Sequence, residues 1–323
     1  MCRESELNDK MIQKAKSLNP PCKIGLIAPA SAPRDEQRLS DGVAALHNAG
    51  FDVIIKRESF APMGYLAGSD DVRLDELNGF LQDDQVNALI CVRGGYGTLR
   101  ILGQVDYEAA RAHPKLLVGY SDITALQLAL FKHAGWISVS GPMASIEWPE
   151  PDSLDCLHFL DLVSSSYEPG PIDPEGPGLT TLVAGDAEGR LLGGNLSLIT
   201  RLIGTDFLPD MNGAILFLEE IGESPYRVDG LLAHLQLAGI LDSLAGIVLG
   251  GFTDAEPDEG KPSLSLNEVF DDYFGDLGIP VATGLRYGHF PTKIAVPIGV
   301  RANLAASDHS AVLSILESPT ENS

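Results

Sequence analysis

The sequence predicts an α/β protein whose first half forms a parallel sheet covered by helices on both faces. Three observations indicate this fold class. Short, nearly all-apolar runs alternate with helical patterns between residues 24 and 140. These runs lack polar alternation, as is typical of parallel strands that are buried on both faces. Glycine-rich turns follow two of them, at the sheet edge where such folds bind ligands.

Composition and charge are those of a folded, acidic chain of about two domains. It has 323 residues, of which 44 % are hydrophobic, and a net charge of −23. An acidic surface repels phosphate backbones, so nucleic acid is not an expected partner. No apolar run approaches the roughly 18 residues of a membrane span, and residues 1–20 lack the apolar core of a secretory signal. The four cysteines are scattered, so we expect a soluble, cytoplasmic protein without disulfides or zinc.

Apolar periodicity and capping residues predict the elements of the first half. Buried strands are predicted over 24–28, 51–55, 86–92, 115–118 and 136–140. Helices are predicted over 35–49, 70–81, 123–133 and 153–163, and another is expected to begin at Thr98.

The second half is predicted to be mixed and rich in short strands. These are expected over 179–184, 189–192, 214–218, 247–249, 281–283, 294–297 and 311–316. Gly193-Gly194-Asn195 is interpreted as a turn whose Asn195 caps a helix to Leu202, and a second helix is predicted over 225–238. Prolines crowd the preceding stretch, which predicts a linker at 169–178. The expected units are a tail (1–20), an α/β domain (21–168) and a β-rich domain (179–318).

A serine stands at the corner between the predicted strand 115–118 and the predicted helix 123–133. The corner reads Gly119-Tyr120-Ser121-Asp122. Serine hydrolases place their nucleophile at such a corner, where helix N-terminal amides can stabilise an oxyanion. The usual elbow has glycine two residues after the serine, whereas this chain has Ile123. Ser121 is therefore either a nucleophile or the N-cap of the helix.

A serine nucleophile needs a histidine base and a carboxylate that orients it. Six of the seven histidines lie in ordinary positions, whereas His289 follows a glycine in an irregular loop after a predicted strand. Glu219 directly follows the strand 214–218 and is the best-held carboxylate nearby. The alternatives are a surface role for His289 and a salt bridge between Glu219 and Arg227.

The second glycine-rich turn, Arg93-Gly94-Gly95-Tyr96-Gly97, follows the predicted strand 86–92. It lacks the full dinucleotide-binding spacing and the Lys-Ser/Thr pair of a P-loop. It is either a tight structural turn or the source of an oxyanion-hole amide at Gly95, with the second amide from Asp122. Since the chain has no H-E-x-x-H motif and no Cys/His cluster, we expect neither a metal nor a cofactor.

Ordered blocks within residues 22–317 resemble those of the serine LD-carboxypeptidase family, which includes muramoyltetrapeptide carboxypeptidases and microcin C immunity peptidases. The blocks are 27–29, 64–70, 93–97, 119–122, 193–195, 216–220 and 288–289. The resemblance implies a flavodoxin-like parallel-sheet N-terminal domain and a smaller β-rich swivelling C-terminal domain, commonly in a homodimer. It implies Ser121 as nucleophile, His289 as base and Glu219 as relay carboxylate, with an oxyanion amide from Gly95. Glu220 stands where the family often has Asp or Asn, so the register between the two glutamates stays open.

The resemblance implies a serine carboxypeptidase of murein recycling. Its substrate is a small peptide, and it cleaves the amide between an L-centre (diaminopimelate or Lys) and the terminal D-Ala of peptidoglycan tetrapeptides. The free carboxylate needs a cation, for which Arg93 and Arg286 are candidates, with Gly94 also lining the substrate site.

Three further functions stay open at this point. One is an immunity-type peptidase that cleaves aminoacyl-nucleotide amides of the microcin C kind. Such members resemble one another in carrying base-stacking aromatic residues before the Gly-Gly-Asn block, and residues 169–195 contain none, which favours murein peptides. The second is a nucleotide-binding oxidoreductase, and the third is a non-catalytic ligand-binding protein.

Overall fold

The computed structural model describes residues 12–57, 60–257, 260–308 and 310–322. Its strands, in chain order, are β1 (Ala15–Lys16), β2 (Lys23–Ile27), β3 (Asp52–Ile54), β4 (Ala88–Cys91), β5 (Leu116–Val118), β6 (Ser138–Ser140), β7 (Thr180–Val183), β8 (Gly185–Asn195), β9 (Ile215–Ile221), β10 (Gly246–Thr253), β11 (Val281–Thr283), β12 (Val296–Ile298), β13 (Arg301–Ala306), β14 (Ala311–Ile315) and β15 (Thr320–Glu321). Its α-helices are α1 (Glu36–Asn48), α2 (Asp70–Leu81), α3 (Tyr107–Ala112), α4 (Ile123–Ala134), α5 (Leu154–Leu162), α6 (Leu196–Leu202), α7 (Pro225–Leu237) and α8 (Leu266–Phe274).

The first sheet has the strand order β12-β6-β5-β4-β2-β3. Strands β2 to β6 run parallel, which confirms the predicted parallel sheet. All four residues of β4 are buried, because helices cover both faces. Helix α2 has the predicted bounds, and the hydroxyl of Ser69 caps it by accepting from the amide of Val72.

The helix expected from Thr98 is instead two short 3₁₀ turns, Thr98–Arg100 and Leu102–Gln104, followed by α3. Here the amides of Ile101 and Gln104 donate to carbonyls three residues earlier, those of Thr98 and Ile101, rather than four. The predicted helix start is therefore wrong.

The second sheet has the order β14-β13-β8-β9-β10-β11-β7. Its central strands β8, β9, β10 and β11 are parallel, and the flanking strands run antiparallel. Two elements here were not anticipated from the sequence: strand β13 and helix α8, although α8 carries a full capping box between Ser265 and Glu268.

Two boundaries in this sheet correct the sequence interpretation. Gly193 and Gly194 lie inside β8 and form no turn, because they must approach their neighbours closely. A Cβ on Gly193 would lie 2.0 Å from the carbonyl oxygen of Phe217, and one on Gly194 would lie 2.5 Å from Oγ1 of Thr124. Strand β9 also continues through Glu219, whose backbone pairs with Asn195 of β8. The expected cap is confirmed, since the Asn195 side chain accepts from the amide of Leu198.

The two halves are joined by more than a linker. Strand β12, expected in the β-rich half, pairs with β6 and completes the first sheet. Strand β1, within the expected tail, pairs with β15 near the other end of the chain. Helix α4 packs on β8 and α6, and one apolar core includes residues from both halves. Within the described residues, no helix is long and apolar enough to cross a membrane.

Candidate active site

Ser121 stands at a strained corner between β5 and α4. Its backbone φ is +65°, a left-handed conformation that non-glycine residues rarely adopt. The helix begins at Ile123 with Asp122 in the N-cap position, so Ser121 is not the cap. The side chain of Ser121 is half-buried rather than free in solvent. This geometry matches the strained strand-to-helix turn that presents a nucleophilic serine.

The glycine-rich turn after β4 lies directly against this corner. A Cβ on Gly94 would lie 3.3 Å from Oγ of Ser121, so only glycine leaves the hydroxyl accessible from this side. Gly95 has φ +110° and packs against Ser31. Among the described residues, no backbone acceptor takes the amides of Gly95 and Asp122. Both amides are therefore available to an oxyanion.

Two hydrogen bonds donated by Thr98 tie the glycine-rich turn to the serine corner. The amide of Thr98 donates to Oδ2 of Asp122 at 2.8 Å, and its hydroxyl donates to the Asp122 carbonyl at 2.7 Å. Asp122 is 1 % exposed, and burial raises the pKa of its carboxyl. Sequence reasoning singled out the Asp122 amide and missed Thr98, whose hydroxyl is recognisable as a partner only once the two loops are adjacent.

Glu219 and His289 form the central contact of the site. Nδ1 of His289 lies 2.7 Å from Oε2 of Glu219, and Glu219 is fully buried. The side chain of His289 is 18 % exposed, so one edge of the imidazole reaches solvent. A buried carboxylate on Nδ1 fixes the tautomer and leaves Nε2 free as a base.

The neighbouring Glu220 has a separate task. Its Oε2 accepts from the amide of Ser197 at the start of α6, and its Oε1 accepts from the amide of Ile221. Nδ2 of Asn195 donates to both glutamates, at 3.1 Å to Glu219 and 3.0 Å to Glu220. The geometry therefore places Glu219 against the histidine. The alternative Glu219–Arg227 bridge is not formed, because Arg227 pairs with Glu223.

The His289 loop rests on a double-glycine irregularity in β10. The register shifts between Leu249 and Phe252, and the amide of Gly251 donates to the carbonyl of Tyr287 at 2.8 Å. A Cβ on Gly250 would lie 2.4 Å from the same carbonyl. Such a bulge re-aims the loop above it, here the loop that carries His289.

A buried charged cluster lies on the other side of His289. The ring of Tyr120 meets the imidazole edge-to-face at 5.3 Å, and its hydroxyl donates to Glu147 at 2.8 Å. Nζ of Lys293 also lies 2.8 Å from Glu147 and 3.4 Å from Asp155. Burial raises the pKa of Glu147, which Lys293 opposes. These residues line a pocket of about 450 Å³ that opens beside His289. This cluster is not recognisable in the sequence, since its members come from three separate segments.

The two arginine candidates have different surroundings. Arg286 forms a two-pronged ion pair with Asp173, with Nε 2.6 Å from Oδ2. Its guanidinium is thus already paired with a carboxylate, although the sequence made it a candidate for binding the substrate carboxylate. Arg93 lies beside Gly95 and forms no such pair within the described chain. No group of three or more His, Cys, Asp or Glu side chains in the described ranges is arranged for a metal.

Family models match both halves of the chain. The LD-carboxypeptidase N-terminal domain matches residues 24–141, and the LD-carboxypeptidase C-terminal domain matches residues 188–304. These spans include Ser121, Glu219 and His289, whereas Glu147, Asp155 and Asp173 lie between them. The model boundaries leave a gap over 142–187, where the prolines crowd.

Individual relatives agree with these matches. The probable murein peptide carboxypeptidase of Bacillus subtilis is 40 % identical over 306 residues, which cover 93 % of this chain and 94 % of that protein. The crystal structure of muramoyltetrapeptide carboxypeptidase from Oxalobacter formigenes has a TM-score of 0.78 at 32 % identity, covering 92 % of this chain and 100 % of that one. The microcin C7 self immunity protein MccF, in complex with aspartyl sulfamoyl adenosine, has a TM-score of 0.85 at 22 % identity, covering 96 % and 100 %, and shows the shared fold alone. The chain belongs to the LD-carboxypeptidase family.

Proposed function

We propose that this chain is a serine carboxypeptidase that hydrolyses the amide between an L-centre and the terminal D-Ala of peptidoglycan tetrapeptides, in murein recycling. The observation that carries the proposal is the 2.7 Å contact between His289 and the buried Glu219, in a fold that also holds Ser121 at a strained corner. The murein peptide carboxypeptidase relatives support the substrate class.

In the proposed mechanism, Ser121 is the nucleophile and His289 is the general base. Nε2 of His289 takes the proton of the Ser121 hydroxyl as Oγ attacks the carbonyl of the L-centre. Glu219 holds the imidazole through Nδ1 and stabilises the imidazolium that forms. The amides of Gly95 and Asp122 donate to the oxyanion.

Collapse of the tetrahedral intermediate completes the first half-reaction. His289 returns the proton to the nitrogen of the leaving D-amino acid, and the C–N bond breaks. A water molecule then attacks the acyl-enzyme, giving its proton to His289, and the peptide leaves with a new carboxylate while Ser121 recovers its proton. The reaction needs no cofactor in this proposal. Of the substrate-binding candidates, we retain Arg93 and Gly94, because Asp173 occupies Arg286.

The second candidate function is cleavage of aminoacyl-nucleotide amides. MccF supports it by fold only, and the stretch 169–195 carries no aromatic residue for stacking a base. The activity test described next distinguishes the two substrate classes.

The test is release of D-Ala from L-Ala-γ-D-Glu-meso-diaminopimelate-D-Ala, followed by mass spectrometry. We expect release by the native enzyme and none above background by Ser121→Ala. Cleavage of an aminoacyl-sulfamoyl nucleoside without release of D-Ala would instead support the immunity-type function. Activity retained by Ser121→Ala on either substrate would contradict the proposed nucleophile.

We also propose that the protein is cytoplasmic and that it forms a homodimer, the second as the family resemblance implies. The described cysteines Cys22, Cys91 and Cys156 are free thiols, which suits a reducing compartment. Sedimentation analysis of the purified protein at micromolar concentration tests the dimer, and a single species of 34.4 kDa would contradict it.

A further inference from the structure

Among the half-buried and buried arginines of the described chain, Arg93 is the one that forms no ion pair. The others are half-buried or buried, and each forms an ion pair with Asp or Glu: Arg38, Arg57, Arg73, Arg190 and Arg286. Arg93 is half-buried as well, yet it forms no ion pair with any described carboxylate. Its described hydrogen bond runs from Nη1 to the carbonyl oxygen of Ala32, at 3.3 Å. Shielding a cation without a counter-ion costs free energy, unless a ligand supplies the anion.

A second cation lies on the loop whose Ala32 carbonyl accepts from Arg93. Arg34 follows Ala32 by two residues on the loop after β2, is exposed, and forms no ion pair within the described ranges. Burial and the charge of Arg34 both lower the pKa of Arg93. The whole chain has 45 Asp and Glu against 22 Lys and Arg. Two cations that repel each other and form no ion pair with a described carboxylate therefore stand out against a strongly acidic background.

Arg93 borders the reacting centre. Nη2 of Arg93 lies 3.4 Å from the point that a Cβ on Gly95 would occupy. The adjacent Gly94 faces Ser121, whose Oγ would lie 3.3 Å from a Cβ there. Because neither glycine has a side chain, nothing on this turn separates the guanidinium of Arg93 from the space in front of Ser121.

We infer that Arg34 and Arg93 together form a carboxylate site, and that Arg34 makes the enzyme specific for substrates with a free C-terminal acid. The inference rests on the proposed carboxypeptidase function and names its recognition element. Each guanidinium donates to one or both oxygens of the D-residue carboxylate, as planar guanidinium groups do in charge-assisted pairs. A C-terminal amide carries no negative charge at that position. It therefore leaves the repulsion between the two guanidinium groups uncompensated.

The experiment compares the tetrapeptide with its C-terminal D-alaninamide analogue. For the native enzyme we expect kcat/KM to favour the acid. Arg34→Met should lower kcat/KM for the acid about tenfold to a hundredfold, the usual worth of a hydrogen bond to a charged group, and leave the amide nearly unchanged. Arg111→Met removes an exposed guanidinium on α3 and serves as the matched control for net charge. Since Arg34 is exposed, its replacement should not disturb folding, which thermal melts can verify.

A binding arm separates this inference from the proposed function. N-acetyl-D-alanine and N-acetyl-D-alaninamide are titrated by calorimetry against native protein, Arg34→Met and Arg111→Met. A preference for the acid that is lost only in Arg34→Met supports the carboxylate site, even if no D-Ala is released from tetrapeptide. If Arg34→Met and Arg111→Met have the same acid-to-amide ratio of binding, the inference is overturned. D-Ala release by the native enzyme would still support the carboxypeptidase function in that case.

Discussion

At the scale of single residues, the site depends on which of two adjacent glutamates meets the histidine. Glu219 is fully buried and contacts His289, whereas Glu220 accepts from backbone amides near α6. The two side chains share Asn195 as a hydrogen-bond donor, so a substitution of one glutamate also alters the hydrogen bonding of the other. Their surroundings nevertheless differ, because among the described contacts it is Glu219 that meets the imidazole of His289.

We predict that Glu219→Gln lowers kcat by about 10⁴-fold, as loss of the orienting carboxylate does in other serine triads. Glu220→Gln is the matched control. It should chiefly lower the melting temperature, since it weakens the interactions at the α6 terminus. Steady-state kinetics and thermal melts on both variants make the comparison. Equal losses of kcat would show that the relay role is not confined to Glu219.

At the scale of elements, the proposed oxyanion hole requires two loops to be held in a fixed relative position. The turn after β4 supplies one proposed oxyanion amide, and the corner before α4 supplies the other. Thr98 joins them through two hydrogen bonds to Asp122. The close approach of β8 to α4, permitted by Gly194, then connects this pair to the strand next to Glu219.

We predict that Thr98→Val lowers kcat about tenfold with little change in KM. The variant keeps the amide bond to Asp122 but leaves a buried carbonyl without its hydroxyl donor, so the two amides lose their fixed spacing. Thr98→Ser, which restores the hydroxyl, should recover most of the activity. If Thr98→Val changes KM alone, the residue acts on substrate binding and not on the oxyanion hole.

At the scale of the whole molecule, the proposed nucleophile and base come from different halves. A buried bridge connects them: Lys293 lies on the His289 loop, and Glu147 accepts from both Lys293 and Tyr120, the residue before Ser121. Nζ of Lys293 also stands 5.0 Å from the centre of the Tyr120 ring. This cluster, together with β12 in the first sheet, fixes the distance between the halves.

We predict that Lys293→Met destabilises the protein by about 3–5 kcal/mol, because it leaves Glu147 and Asp155 buried without a cation. The loss should grow as pH rises above about 4.3, the ordinary value for Glu. Burial already raises the pKa of Glu147, and removing Lys293 raises it further. The folded variant then binds a proton that the unfolded chain has released, so its stability falls with pH.

Urea unfolding at pH 5 and pH 8 measures this difference. The double variant Glu147→Gln/Lys293→Met is the control, and it should be more stable at pH 8 than Lys293→Met alone. A pH-independent loss in Lys293→Met would mean that lost packing, and not an unpaired carboxylate, sets the cost.

The local parts of this protein follow from its amino-acid sequence alone. Apolar runs predicted the parallel strands of the first sheet. A strand that is buried on both faces is apolar along its length, and this composition can be recognised without knowing which strand pairs with it. The glycine-rich turns and the Ser121 corner were recognisable for the same reason, since each depends on adjacent residues. The Asn195 cap was likewise a local signal.

How these parts meet depends on long-range packing in the folded chain. The register of β9 on β8 places Glu219 beside Asn195, and the glycine bulge in β10 brings His289 above it. Long-range packing also assigns β12 to the first sheet, pairs Arg286 with Asp173 and leaves Arg93 without a counter-ion among the described residues. These outcomes depend on contacts between residues far apart in the chain, and local spacing carries no information about such contacts.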